Sequence, residues 1–269
     1  MPDSVQPDWE KIAEKFDLWL PQLKPVGDAL IEALAAQANE AILDVASGTG
    51  EPALTLAHSM DDAVKITGTD AAPAMAQVAQ RKVDEAGLEN IRFQAMASEQ
   101  LGFADRVFDR VLSRFGVMLF DDPLAGMKEI HRVLKPGGRF VFAVWGTPED
   151  MPTMLCLYEA VKDRLAEEFW PPMAKVTSLG EREALAQLLE TSGFDDYRLE
   201  KRRFDYQFAT FADYWQTLID SEIMQRQLDA LTAAQQQEVY EAMRNDCERY
   251  LEDEGLRIPH GFWLAVANK

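Results

Sequence analysis

The chain has 269 residues, with 46 Asp and Glu against 27 Lys and Arg, a formal charge of −19. A surface of that sign repels phosphate backbones, which argues against nucleic acid and anionic membranes as partners. Apolar residues make up 47% and aromatics 10%, enough to bury a sizeable core and unlike a disordered acidic tail.

The two cysteines, Cys156 and Cys247, match no metal-ligand spacing, and His58, His131 and His260 stand apart, so no metal site is expected. Met1-Pro2-Asp3-Ser4 opens without the basic and apolar regions of a secretory signal. No apolar run reaches the roughly 18 residues of a membrane span. Together these features predict a reduced, cytoplasmic protein; a homodimer is left open.

In chain order, residues 1–40 read as an N-terminal helical cap. Trp9, Ile12, Phe16, Leu20 and Leu23 recur at helical spacing, as do Val26, Leu30, Ile31 and Leu34, with Pro21 and Pro25 separating two helices. Residues 41–146 form a core in which strands and helices alternate. Ala41–Ala46 is a buried strand stopped by Ser47-Gly48-Thr49-Gly50 and followed by a helix from Pro52 to Ser59. Strands at 64–69, 91–95, 108–113 and 139–145 follow, with helices at 73–86 and 123–134 between them. The turn Lys135-Pro136-Gly137-Gly138 closes the second of those helices. This rhythm predicts an α/β fold, a doubly wound, Rossmann-like, mainly parallel sheet of seven strands.

Residues 147–181 read as a helical lid segment, with a helix from Met154 to Glu168, and 182–208 as a core helix and strand. Residues 209–255 read as an acidic helical lid insert. Phe211 to Glu254 alone carries eleven acidic residues against three Arg, a local charge of −8. Residues 256–269 supply the final core strand, Phe262–Ala267, with His260 at its start.

In such sheets ligands bind at the carboxyl ends of the strands, where strand order reverses. The first strand ends in Asp44-Val45-Ala46-Ser47-Gly48-Thr49-Gly50, where glycines admit a ligand to the backbone. Asp70 ends the second strand, 20 residues beyond Gly50, and a carboxylate there can accept both hydroxyls of a ribose. Gly48-x-Gly50-x-x-Ala53 also satisfies the dinucleotide fingerprint, which by itself is unspecific and keeps an NAD-dependent oxidoreductase in play. Asp44 argues against it, because a carboxylate beside a buried pyrophosphate is unfavourable.

With the Lys135–Gly138 turn in view, the chain resembles class I S-adenosylmethionine-dependent methyltransferases. Ile42–Pro52 resembles their first motif, Asp70 their ribose-binding acid, and Arg132–Phe140 their final core motif. The nearest resemblance is to the ubiquinone/menaquinone biosynthesis C-methyltransferase family; it covers roughly residues 9–145 and fades over the lid. The resemblance implies S-adenosylmethionine as cofactor. Asp44, Ala46, Ser47, Gly48 and Gly50 would surround its methionine part, Asp70 its ribose, and Ala71 and Met75 its adenine.

Two departures stand out. Ala97 occupies the position of an acid that often contacts the adenine amine, leaving Ser98 or backbone groups to hold the base, and Ala46 replaces the usual first glycine. Arg114, after the fourth strand, binds cofactor or substrate, or else pairs with a nearby acid. Phe16-Asp17 stands where relatives often carry Tyr-Asp beside the cofactor.

The implied reaction is C-, O- or N-methylation of a small, apolar or aromatic acceptor. A non-catalytic cofactor-binding protein is the alternative of a different class. No catalytic dyad is evident, and His260 is the one histidine offered as a general base. His131 reads as a packing residue, His58 as a helix-end group, Cys156 and Cys247 as buried small hydrophobes. Met118, Met151 and Met154 read as core fillers. Trp9, Phe16, Trp19, Phe115, Trp145, Trp170, Tyr214 and Trp215 fall in segments expected to close over the crevice.

Overall fold

The computed structural model describes residues 7–60 and 63–269; Met1–Ser4 and the first residues of the cap lie outside them. In chain order the elements are α1 (Trp9–Ile12), α2 (Leu20–Leu34), β1 (Ala41–Val45), α3 (Ala53–Met60), β2 (Lys65–Asp70), α4 (Pro73–Ala86), β3 (Ile91–Ala95), β4 (Phe108–Arg114), α5 (Pro123–Val133) and β5 (Leu134–Trp145). They continue as α6 (Pro152–Val161), α7 (Met173–Val176), α8 (Arg182–Ser192), β6 (Asp196–Phe208), α9 (Phe211–Asp220), α10 (Gln225–Asp229), α11 (Ala233–Cys247), β7 (Leu251–Glu252) and β8 (Gly255–Asn268).

Local chemistry sets the helix ends. Pro73 fits the first turn of α4, where a missing N–H costs nothing, and Gly87 ends the helix in the left-handed conformation at φ +65°. Asp122 caps α5 through Ala125 N at 3.0 Å.

One sheet runs in the order β3-β2-β1-β4-β5-β8-β6, with β7 pairing only with β8. The first five strands are parallel, while β8 lies antiparallel to both β5 and β6. Strand order reverses between β1 and β4, which opens a crevice above their carboxyl ends. The main core cluster covers both faces of the sheet and runs on into the helices between β6 and β8. The expected fold class is therefore present.

Several boundaries differ from expectation. Pro25 lies inside α2 and does not separate two helices; Pro21 sits in the first turn of that same helix. The 123–134 helix is followed at once by β5, so Lys135–Gly138 is a bulge within a strand. Leu134 pairs with Phe108 and Arg139 with Arg110, leaving the motif opposite Asp109 alone. Lys135 Nζ grips both Asp109 oxygens at 2.8 and 2.7 Å, and Asp109 also accepts Ala41 N at 2.9 Å. The motif thus ties the entry ends of three strands together, far from the crevice.

The helix expected over 154–168 spans only Pro152–Val161. The last strand runs from Gly255, so His260 lies in its interior, paired with Phe204. The eighth strand, β7, is a two-residue turn partner of β8.

Candidate functional site

A cavity of about 430 Å³ fills the crevice. At one end it is lined by the carboxyl ends of β1, β2 and β4, at the other by α6, β6, α9 and α10. Among the expected cofactor residues, Phe16, Ala46, Ser47, Gly48, Asp70, Ala71, Met75, Ala97, Ser98 and Arg114 line it. Asp44, Gly50 and His260 do not.

Asp44 lies beneath the glycine turn, fully buried, and neither carboxylate oxygen has a hydrogen-bond partner among the described residues. Burial pushes its pKa well above the usual carboxylate range, the Arg114 guanidinium opposes that shift, and the Asp70 and Glu51 charges reinforce it. A buried carboxylate without donors calls for a cation or N–H groups from a ligand.

Asp70 joins the two neighbouring turns. Its oxygens accept Gly48 N at 2.8 Å and Ala72 N at 2.9 Å. Burial raises its pKa and these two amides hold it back. Each oxygen keeps a lone pair for a diol.

The turn between Asp44 and Asp70 is built tightly. Ala46 adopts φ +55°, a left-handed conformation that costs a non-glycine residue about 1–2 kcal/mol. Gly50 sits at φ +106°, and a Cβ there would fall 2.7 Å from Leu54 Cδ1, so its role is to let the turn pack onto α3. Gly116, unmarked in the sequence reading, lines the cavity; a Cβ there would meet the Ala46 Cβ at 2.5 Å. The turn is fastened to the cap through Asp17, whose carboxylate accepts Thr49 Oγ1 at 2.6 Å and pairs with Lys82 Nζ at 2.6 Å. Phe16, next in chain, covers Gly48.

Arg114 extends from the end of β4 toward α2, where a Cβ on Gly27 would lie 3.8 Å from its Nη1. Burial lowers its pKa and the Asp44 and Glu51 charges support the charged form. No ion pair within 4 Å holds it among the described residues, so the acid-pairing alternative is not what the structure shows. Its charge faces the cavity that Asp44 underlies.

Beyond Arg114 the wall turns aromatic. Phe115 stacks on Trp145 at 3.8 Å between ring centres, and Trp145 continues to Phe204 at 5.9 Å. Trp19, Tyr206 and Tyr214 line the same chamber with Met151 and with Thr153, Met154 and Leu157 of α6. Met118, Met151 and Met154, expected as core fillers, are on the cavity wall as well as in the core. Trp170 and Trp215 are elsewhere: Trp170 packs on Tyr158 and donates to Leu165 O, while Trp215 packs on Tyr240.

His260 lies behind the cavity wall. It is 1% exposed, stacked on Tyr206 at 4.0 Å, and separated from the cavity by that ring and by Thr153. The neighbouring Ile258 O lies 2.9 Å from Nδ1. His260 does not line the cavity, and its Nε2 faces the Thr153 hydroxyl. His131 packs edge-on against Phe194, and His58 Nδ1 bonds Leu54 O at 2.8 Å near the end of α3. Both cysteines are free and buried, and Cys156 donates to Asp246.

Thr153 and Tyr206 were missed because neither belongs to a motif. Tyr206 had a signal, since Phe204, Tyr206 and Phe208 share one face of a strand by alternation.

Residues 10–201 match the model of the ubiE/COQ5 methyltransferase family. The ubiquinone/menaquinone biosynthesis C-methyltransferase UbiE of Geotalea daltonii is 35% identical over 152 residues, 52% of this chain and 65% of that one, so the match spans just under two thirds of that relative. The demethylmenaquinone methyltransferase of Bacteroides fragilis is 31% identical over 176 residues, covering 61% of this chain and 71% of that one. The crystal structure of the YcgJ protein from Bacillus subtilis superposes with a TM-score of 0.62 at 22% identity, over 91% of this chain and 98% of that one, and shares the fold. With a family model spanning most of the chain and a sheet of matching architecture, the chain belongs to the ubiE/COQ5 methyltransferase family, enzymes of the class I, S-adenosylmethionine-dependent kind.

Proposed function

We propose that this methyltransferase moves the methyl group of S-adenosylmethionine onto a small aromatic acceptor of the hydroxylated-ring, quinol class. The observation that carries the reading is the single cavity joining a nucleoside-type end, built on Asp70, to an aromatic chamber walled by Trp19, Phe115, Trp145 and Tyr206. The names of the Geotalea and Bacteroides relatives point the same way.

The residues present fit the cofactor. The orphaned Asp44 carboxylate suits its ammonium, Arg114 its carboxylate, Asp70 its ribose hydroxyls, and Ala71, Met75, Ala97 and Ser98 its adenine. Bound there, the cofactor supplies a methyl group already activated on sulfonium. What the chain adds is positioning and exclusion of water. Residues 147–181 and 209–255 act as the lid: α6, α9 and α10 close the acceptor end, and Lys15 pairs with Glu222 to draw the cap onto the insert. The acidic outer surface and the reduced Cys156 and Cys247 suit a small-molecule acceptor in a reducing cytoplasm.

The test is transfer of labelled methyl from S-adenosylmethionine to reduced 1,4-naphthoquinone and to fractions of a lipid extract. Product in the apolar fractions supports the reading; tight NAD(H) binding with no affinity for S-adenosylhomocysteine overturns it. Asp70→Ala is expected to weaken S-adenosylhomocysteine binding by about 1–3 kcal/mol in calorimetry, since it strips partners from buried donors.

A further inference from the structure

The aromatic chamber has one polar seam. Thr153, on α6, lines the cavity, and its Oγ1 lies 2.7 Å from His260 Nε2. On the other side of the ring, Nδ1 lies 2.9 Å from Ile258 O. A carbonyl only accepts, so Nδ1 carries the proton, and Nε2 must accept from the Thr153 hydroxyl. Tyr214, which also lines the cavity, interacts with that hydroxyl. Tyr206, stacked on the imidazole, and the flanking Trp145 and Phe204 fix the ring.

We propose that Thr153 and His260 form a two-step proton relay that takes the proton released by the acceptor during methyl transfer, with Thr153 touching the acceptor and His260 acting through it. The relay rests on the functional reading above. The acceptor atom, a phenolic oxygen or an electron-rich ring carbon, contributes the electron pair of its new bond to the methyl carbon. The carbon–sulfur bond breaks and its pair stays on sulfur, leaving S-adenosylhomocysteine. The proton on the acceptor atom passes to Thr153 Oγ1 as the proton of that hydroxyl passes to His260 Nε2. The imidazolium so formed donates to Thr153 and to Ile258 O, and discharges to water when the chamber opens.

A strong base is not needed, because an oxygen or ring carbon that has just been methylated holds its proton weakly. Burial keeps His260 neutral, lowering its pKa to about 4, so its Nε2 is free to accept at neutral pH. The relay also explains why a histidine walled off from the cavity is hydrogen-bonded toward it.

The experiment compares Thr153→Val, Thr153→Ser and His260→Phe, the last retaining a ring to stack on Tyr206. With reduced 1,4-naphthoquinone, or with whichever extract component the wild type methylates, kcat is expected to fall 10- to 100-fold in Thr153→Val and His260→Phe. Thr153→Ser is expected to recover most of that loss, while acceptor KM and the Kd for S-adenosylhomocysteine stay within about twofold. A second readout needs no acceptor: with ¹⁵N-labelled histidine, the His260 Nε2 resonance should move in Thr153→Val and return in Thr153→Ser. The relay is overturned if Thr153→Val keeps kcat within threefold, if Thr153→Ser is as slow as Thr153→Val, or if the loss is confined to KM. A wild type that methylates no acceptor overturns the functional reading, and the relay with it.

Discussion

At the scale of single residues, Asp44 sets affinity against stability. Its carboxyl is buried without a hydrogen bond, and its native pKa stands above that of the unfolded chain. The native state therefore binds this proton more tightly than the unfolded state does. Stability of the ligand-free protein is greatest below the unfolded pKa and declines as pH rises toward the native one. Asp44→Asn removes the charge in place. We expect it to stabilise the ligand-free protein at neutral pH by about 1–3 kcal/mol, read by thermal melting, while weakening S-adenosylhomocysteine binding at least tenfold. A melting point equal to the wild type would show that Arg114 already neutralises the site. Residues of this kind were legible: an acid before a glycine turn, and another ending the next strand, are features of adjacent sequence. Thr153 and its bond to His260 were not, because the two are 107 positions apart and only the packing of α6 on β8 brings them together.

At the scale of elements, the alternation through β5 could be read because buried parallel strands are short apolar runs closed by glycine or acid. Boundaries in the second half could not. In β6, a long strand pairing on only one edge, the polar Arg203, Asp205 and Gln207 alternate with Phe204, Tyr206 and Phe208, while β8 contains a proline and a glycine that mimic a turn. Helix α11 shows how the insert is supported from behind. Thr232 and Gln235 cap it reciprocally, with Thr232 N on Gln235 Oε1 at 3.0 Å and Gln235 N on Thr232 Oγ1 at 3.3 Å. Its Val239, Met243 and Cys247 are buried, and it packs on α6 and α9, which wall the acceptor chamber. Thr232→Ala should cost about 1 kcal/mol in a denaturant titration. It should raise the acceptor KM and leave S-adenosylhomocysteine affinity within twofold, since no part of α11 reaches the nucleoside end.

For the whole molecule, the charge of −19 acts on folding as well as on partners. Exposed pairs such as Lys24–Asp28 and Arg81–Glu14 consume some of the cations, and the remaining acids repel one another. Raising NaCl from 20 to 500 mM, about a fivefold shortening of the screening length, is expected to raise the melting temperature. A fall would mean that the ion pairs outweigh the repulsion. Composition showed the sign of this field but not its layout. None of the eleven acids of the insert lines the chamber, whose wall there is Tyr214, Leu218, Ile223 and Met224. On α9 charge and cavity take different faces, with Asp213 and Asp220 exposed and Tyr214 and Leu218 buried.

The place of β8 between β5 and β6 has a consequence for how the chain is made. About 110 residues separate Trp145 from Gly255, so a ribosome adding about 5–20 residues per second releases β5 many seconds before its neighbour exists. During that interval the β5 edge, carrying Phe140, Val141 and Phe142, has no strand beside it, and an open apolar edge recruits foreign strands. The nascent chain is therefore most exposed to aggregation while the insert is still being synthesised.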